Sequence, residues 1–263
     1  KLFDRSTSPL GVTDAGEVVL QAVESICDIE RKMVERLDAL KMSEVTLINF
    51  GATPSRARYL IKPIAQFTST YPNVKVNINE YYMNQLVEKL QKGELDFIFG
   101  AGPPDNLDFD FIEISAEQLY FVAPKSKETA PSDDPFLVSH EQIKDGSAVD
   151  TPCLKLADFA DMPVIGYHHN MRLQRTLIKL YRDNGITPKI AANSHSADLA
   201  VKMVSEGIGV TIAGSTALKD CSFSDDLRFY RTDIPDWPLG IFFNKNKPLS
   251  VQSLDFVSFL KQD

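Results

Sequence analysis

The chain runs through two hydrophobic patterns in turn. Residues 1–12, KLFDRSTSPLGV, contain Pro9, Gly11 and several small polar side chains, and read as loop or hairpin. At Thr13 the pattern changes. Val19, Ile26, Met33 and Leu40 recur every seven residues, and Ala22, Ile29 and Leu37 supply most of a second row. That is an a/d-like seam, the sort that a helix presents to another helix. No proline falls between 13 and 42, and Gly16 is the only glycine there. Thr13 or Asp14 can cap the helix, and Glu17 suits its first turn. The spacing predicts one helix over 13–42, about eight turns long. Such a helix cannot bury its stripe alone. Self-association through Val19, Ile26, Met33 and Leu40, flanked by Glu30, Arg31, Lys32, Glu35 and Arg36, is favoured over a helix lying across its own domain.

After Ser43 the signals alternate between strand and helix. Residues 45–50 read as a strand. Gly51-Ala52-Thr53-Pro54-Ser55 is a tight turn into a helix, with Thr53 as cap and Pro54 at the first helical position. That helix is expected to reach about Thr70, with Tyr59, Leu60, Ile64 and Phe67 on one face. Residues 74–80 alternate as a strand, 84–92 are helical until Gly93, and 95–99 form a buried-type strand ending in Gly100-Ala101-Gly102-Pro103-Pro104. The order β-α-β-α-β belongs to a parallel sheet with crossover helices. A second unit follows: strand 163–167, loop His168-His169-Asn170, helix 171–184 ended by Gly185, and strand 189–193. Ser194-His195-Ser196 then caps a helix through Glu206, and Gly207-Ile208-Gly209 turns into strand 210–213. Residues 119–124 and 227–232 lie between the units as candidate crossings. Strand 240–243 and helix 251–260 complete the chain. The expected fold is α/β, two doubly wound Rossmann-like lobes preceded by a long helix. The division is 1–12, 13–42, 45–123 with 228–263 as lobe I, and 124–227 as lobe II. Two crossings at one waist make a hinge and a cleft.

Composition narrows the function. The 263 residues are 43% hydrophobic, enough for one large or two small cores. No apolar run of membrane-spanning length occurs, and the start lacks the basic-then-apolar layout of a signal peptide. Cys27, Cys153 and Cys221 are too few and scattered for a disulfide scaffold or zinc site, and an odd count favours a reducing compartment, so a cytoplasmic protein is expected. Of these, Cys153 in a loop is the best redox candidate, set against an inert thiol. With 36 acids against 28 bases the net charge is −8, a poor phosphate-binding surface. There is no G-x-S-x-G, H-E-x-x-H or Walker loop, so no enzyme is expected and no cofactor.

In doubly wound lobes ligands collect beyond the carboxyl ends of the strands. Four such ends stand out. Thr53, Pro54 and Ser55 open a helix, where free N–H groups favour an anion, unless Thr53 only caps. Gly100 and Ala101, with Gly102, allow close backbone approach or make an ordinary turn. His168, His169 and Asn170 form the third end, and Asn193, Ser194 and Ser196, around His195, the fourth. Histidines there can sense pH, bind an anionic ligand or ligate a metal, or simply be polar loop. Their spacing is neither H-x-H nor i,i+4, and no acids accompany them, so no metal is expected. Tyr82 and Met83, just after a strand, are expected as pocket walls.

LFDRSTSPLGVTDAGEVVL resembles the end of the winged helix-turn-helix of LysR-type transcriptional regulators. There an L-F-x-R segment is followed across the wing by L-T-x-A-G, which opens a linker helix. Leu2, Phe3, Arg5, Thr13, Ala15 and Gly16 match, and Val12 stands where leucine is usual. YPNVKVNINE with LQKGELDFIFG resembles the family's first effector lobe, and VKMVSEGIGVTIAG the second. The resemblance implies a winged helix-turn-helix remnant over 1–12, a dimerising linker helix, and two effector-binding lobes like a type 2 periplasmic binding protein. It implies a homodimer or homotetramer that senses a small-molecule effector, with Ser55 matching the family's effector serine best. Promoter DNA would be met through an N-terminal domain that is absent from these residues, so they are not expected to bind an operator alone. Two other readings compete. A periplasmic-type solute-binding protein could share the lobes but has no use for residues 1–42, and an enzyme rests only on a polar cleft.

Overall fold

A computed structural model describes residues 2–4, 11–41, 45–102, 108–125 and 134–261. Contacts divide the chain into two compact units, residues 1–47 with 71–75, and residues 48–70 with 76–263.

In the first unit, Phe3–Asp4 pairs antiparallel with Gly11–Val12, the expected hairpin. The Leu2 carbonyl accepts a hydrogen bond from Thr13 N–H at 3.2 Å. Thr13 Oγ1 accepts from Gly16 N–H at 3.1 Å and so caps the long helix Asp14–Lys41. Gly16 is needed there, because a Cβ would come within 2.1 Å of the Leu2 carbonyl oxygen. Val19, Ile26 and Met33 are all exposed along this helix. The side chain of Leu40 lies outside the described residues.

Two sheets follow, most of their residues in the second unit. One has five strands in the order Val74–Glu80, Thr46–Ala52, Phe97–Ala101, Trp237–Asn244, Phe109–Glu117. Thr46–Ala52 and Phe97–Ala101 run parallel, while Trp237–Asn244 is antiparallel to both its neighbours. Phe50, Phe97, Phe67 and Phe256 stack at its core, Phe256 coming from the closing helix Val251–Leu260. The other sheet has the order Thr211–Gly214, Leu119–Pro124, Leu227–Arg231, Leu137–Val138. It is extended by the parallel pair Pro163–Tyr167 and Lys189–Ser194 through the Val164–Val210 bridge.

Three features differ from the sequence reading. The helix expected to reach Thr70 breaks into Pro54–Tyr59 and Ile61–Thr70. Pro63 near the start of the second piece has no N–H to continue the ladder, and its ring crowds the preceding turn. The strand Phe109–Glu117 has no clear signal in the sequence, since its half-exposed alternation is weak. Finally, Leu119–Pro124 and Leu227–Arg231 are not crossings but members of the second sheet. Every residue of Leu119–Pro124 is buried, and a fully buried strand reads the same in either sheet. The chain crosses instead at Gln118 and at 232–236, and Thr232 Oγ1 ties these segments by donating to the Leu119 carbonyl at 2.8 Å.

Candidate functional site

Between the two sheets lies a cavity of about 870 Å3. It is built largely from helix starts that follow strands. Residues at the beginnings of Pro54–Tyr59, Met83–Gln91, Arg172–Asp183 and Ala197–Ser205 all line it. Each start offers N–H groups without intrahelical acceptors and the positive end of a helix dipole. The lining also holds apolar side chains, Met83, Val87, Ile98, Phe109 and Phe242.

Nine of the sequence candidates line this cavity: Thr53, Pro54, Ser55, Tyr82, Met83, Ala101, His168, Asn170 and Ser196. Four do not. Gly100 is covered by Phe242 and Met83. Ser194 is buried and its hydroxyl donates to the Ser196 carbonyl at 2.8 Å, holding the loop. His169 and Asn193 are exposed outside the lining. Thr53 sits at the N-cap with extended backbone but makes no side-chain cap; its Oγ1 accepts from Arg56 Nη1 at 3.4 Å. Ser196 does cap its helix, accepting from Leu199 N–H at 3.5 Å.

The largest omissions of the sequence reading are charged. Arg56, Arg172, Arg175 and Lys179 line the cavity against a single carboxylate, Glu117. Arg172, Arg175 and Lys179 fall at i, i+3 and i+7 of one helix, so that spacing alone could have found them. Glu117 could not be found this way, because its partners come from distant elements. Arg56 Nη2 donates to it at 2.6 Å, and Thr216 Oγ1 donates to its other oxygen. Gly214 makes room for this carboxylate, since a Cβ would strike it. Arg58 and Asp198 form a second ion pair between the sheets' helices. Arg172 spans the cleft, its guanidinium 4.3 Å from the Trp237 ring centroid and Nη1 donating to the Ala101 carbonyl at 3.2 Å.

Histidines gather at one edge. His168 lies 4.2 Å from His169 and 4.3 Å from His195 between ring centroids. His195 lines the cavity and meets Tyr82 at 5.4 Å from across it. Desolvation holds His168 below the usual imidazole value, and the neighbouring His169 and His195 add to this. Among the described residues no group of three or more His, Cys, Asp or Glu side chains is set to hold a metal ion. Nor is any helix among them long and apolar enough to cross a membrane. The arrangement suits reversible capture of a small anion with an apolar body.

The family model for the LysR substrate binding domain matches residues 43–263. An HTH-type transcriptional regulator of Bacillus subtilis, YcgK, is 23% identical over 268 residues, spanning 99% of this chain and 80% of the relative. Among solved structures, the LysR family regulator HinK from Pseudomonas aeruginosa superposes with a TM-score of 0.66 at 19% identity, covering 96% of this chain and 80% of that one. The BenM effector binding domain with its effector benzoate gives a TM-score of 0.62 at 18% identity, covering 83% and 92%.

Proposed function

Because this chain belongs to the LysR family of transcriptional regulators, residues 43–263 being its effector-binding domain, we propose that it senses a small anionic metabolite in the cleft between the two sheets. One observation carries the reading: besides the Arg56–Glu117 pair, three cationic side chains, Arg172, Arg175 and Lys179, and several helix starts line the cavity. Cationic side chains and helix N-termini around one cleft attract negative charge, so the cleft favours an anion. The apolar lining of Met83, Val87, Ile98, Phe109 and Phe242 suits a hydrocarbon body. Benzoate, the effector of the related BenM domain, has that combination of carboxylate and apolar ring.

In this reading Thr53, Pro54, Ser55, Tyr82, Ala101, His168, Asn170 and Ser196 contact the effector. The effector then changes how the two sheets close on one another, and the long helix relays this to promoter DNA in the cytoplasm. Val19, Ile26, Met33 and Leu40 join two copies along that helix, because apolar side chains at seven-residue steps, of which Val19, Ile26 and Met33 are exposed, favour pairing with a second helix. The test is a thermal-shift screen of organic acids, with sugars and amines as controls. Acids alone should raise the unfolding midpoint, since a ligand that binds only the native state stabilises it. Stabilisation by neutral or cationic compounds only would sink the proposal.

A further inference from the structure

We infer that Arg172 is a strap that holds the two sheets closed over the cleft before any effector has bound. The strap belongs to the free chain and operates whatever the cleft binds.

The chain passes between the sheets at Gln118 and at 232–236. Two crossings at one waist leave a hinge, so side chains that reach over the cleft decide how far it stands open. Arg172 begins the helix Arg172–Asp183, which packs on the second sheet. Its guanidinium reaches the first sheet, where Nη1 donates to the Ala101 carbonyl at 3.2 Å and Cζ lies 4.3 Å from the Trp237 ring centroid. The receiving side is shaped for it. Trp237 is buried at the start of Trp237–Asn244, and Gly102 N–H donates to the neighbouring Pro238 carbonyl at 2.5 Å. Gly102 has φ +80°, a conformation that favours glycine. A Cβ there would come within 2.1 Å of Nη1 and 3.2 Å of Cζ, so a side chain at 102 and the guanidinium cannot share this seat. A flat guanidinium laid on an indole face while donating to a carbonyl is a pairing that a lysine ammonium does not reproduce.

Other side chains reach across differently. Arg58, itself half exposed, meets Asp198 in a type of ion pair that contributes little in water. Lys219 lies over the Tyr59 ring at a longer 5.7 Å, and Tyr82 meets His195 with its own side chain half exposed. Arg56 meets Glu117 beside the crossing at Gln118, where a contact fixes the hinge rather than its opening. Holding an arginine in one place costs side-chain entropy. The Ala101 carbonyl and the Trp237 ring offset that cost only while the sheets are close, so both contacts favour the closed arrangement. The resting molecule is therefore closed, and an effector acts on a cleft that opens against the strap.

The experiment measures the separation of the sheets in the ligand-free chain. Spin labels are attached through Gln91→Cys, at the end of Met83–Gln91, and Arg182→Cys, near the end of Arg172–Asp183, both exposed positions. The labelled chain carries Cys27→Ser, Cys153→Ser and Cys221→Ala, and is diluted with unlabelled chain so that distances within one molecule are read. Double electron–electron resonance should give one narrow distance for this parent, the closed one. Arg172→Ala should add a longer distance, the ratio of open to closed molecules rising about tenfold. Gly102→Ala, which fills the seat and leaves the arginine intact, should add the same distance and serves as the second reading should Arg172→Ala fold poorly. Lys179→Ala, which lines the same cavity but pairs with Asp183 of its own helix, should leave the distances as they are. Parent distances retained in Arg172→Ala and Gly102→Ala overturn the inference, as does equal opening by Lys179→Ala. A parent already spread over both distances overturns it as well. None of these outcomes bears on whether an anion binds, which the thermal-shift screen of organic acids decides separately.

Discussion

Glu117 and Arg56 form a 2.6 Å ion pair at the waist of the molecule, with the Glu117 side chain only 2% exposed. Thr216, from beyond the second sheet, donates to the same carboxylate. One carboxyl group at the end of Phe109–Glu117 thus ties a helix beside the first sheet to a helix beside the second. Removing Arg56 strands a buried charge. Arg56→Ala is expected to destabilise the fold by about 3–5 kcal/mol, and Glu117→Gln, which keeps hydrogen-bonding capacity and removes the charge, by less. Urea denaturation of both variants checks the order, and equal losses would contradict it.

Trp237 is the only tryptophan, so its fluorescence reports one place, the face on which the Arg172 guanidinium lies. Gly102→Ala should displace that guanidinium and strain a left-handed backbone position, costing about 1–2 kcal/mol. Its emission spectrum should change in the same direction as that of Arg172→Ala. An unaltered spectrum in both would show that the contact does not form in solution.

Ser55 lines the cavity at the second position of Pro54–Tyr59. Ser55→Ala should weaken binding of an anionic effector by about 1.5–3 kcal/mol, the range for a hydrogen bond to a charged group. The unfolding midpoint of the free protein should stay the same. Calorimetric affinity with unchanged values would move the anion elsewhere in the cleft.

The histidine cluster sets a pH dependence. His168 titrates below its ordinary value of 6.5, so the unfolded chain binds more protons than the folded one as the pH drops. The stability associated with neutral His168 is present above about pH 6.5 and is lost as the pH falls from there through the lower folded value. Denaturation between pH 8 and pH 5 should therefore show a smaller acid loss for His168→Gln than for the parent chain. A bound anion reverses the preference by favouring the imidazolium, so effector affinity should rise over the same interval. A flat difference between parent and variant would remove His168 from the account.

The long helix predicts assembly. Ile26→Lys places a charge in the middle of the exposed heptad row and should convert a dimer to a monomer in sedimentation velocity. The lobes should keep their unfolding midpoint. A dimer that survives this change would place the subunit contact elsewhere.

Much of this was legible along the chain. A seven-residue step without proline dictates a long helix, because only a helix brings such positions onto one face, and Asp14–Lys41 follows it closely. Strand and helix signals in alternation dictate the α/β class, and turn residues put Thr53, Ser55, His168, Asn170 and Ser196 at strand ends where they line one cavity. The basic face of Arg172–Asp183 was also written locally, at helical spacing. Tertiary structure alone decided the rest. The sheet to which Leu119–Pro124 belongs is a matter of partner, and uniform burial erases the alternation that would reveal it. The meeting of Glu117 with Arg56 and Thr216, and of Arg172 with Trp237, joins residues 61 to 99 positions apart. Local sequence governs which backbone conformations are cheap over a few residues, whereas contacts at such separations exist only once both sheets have packed.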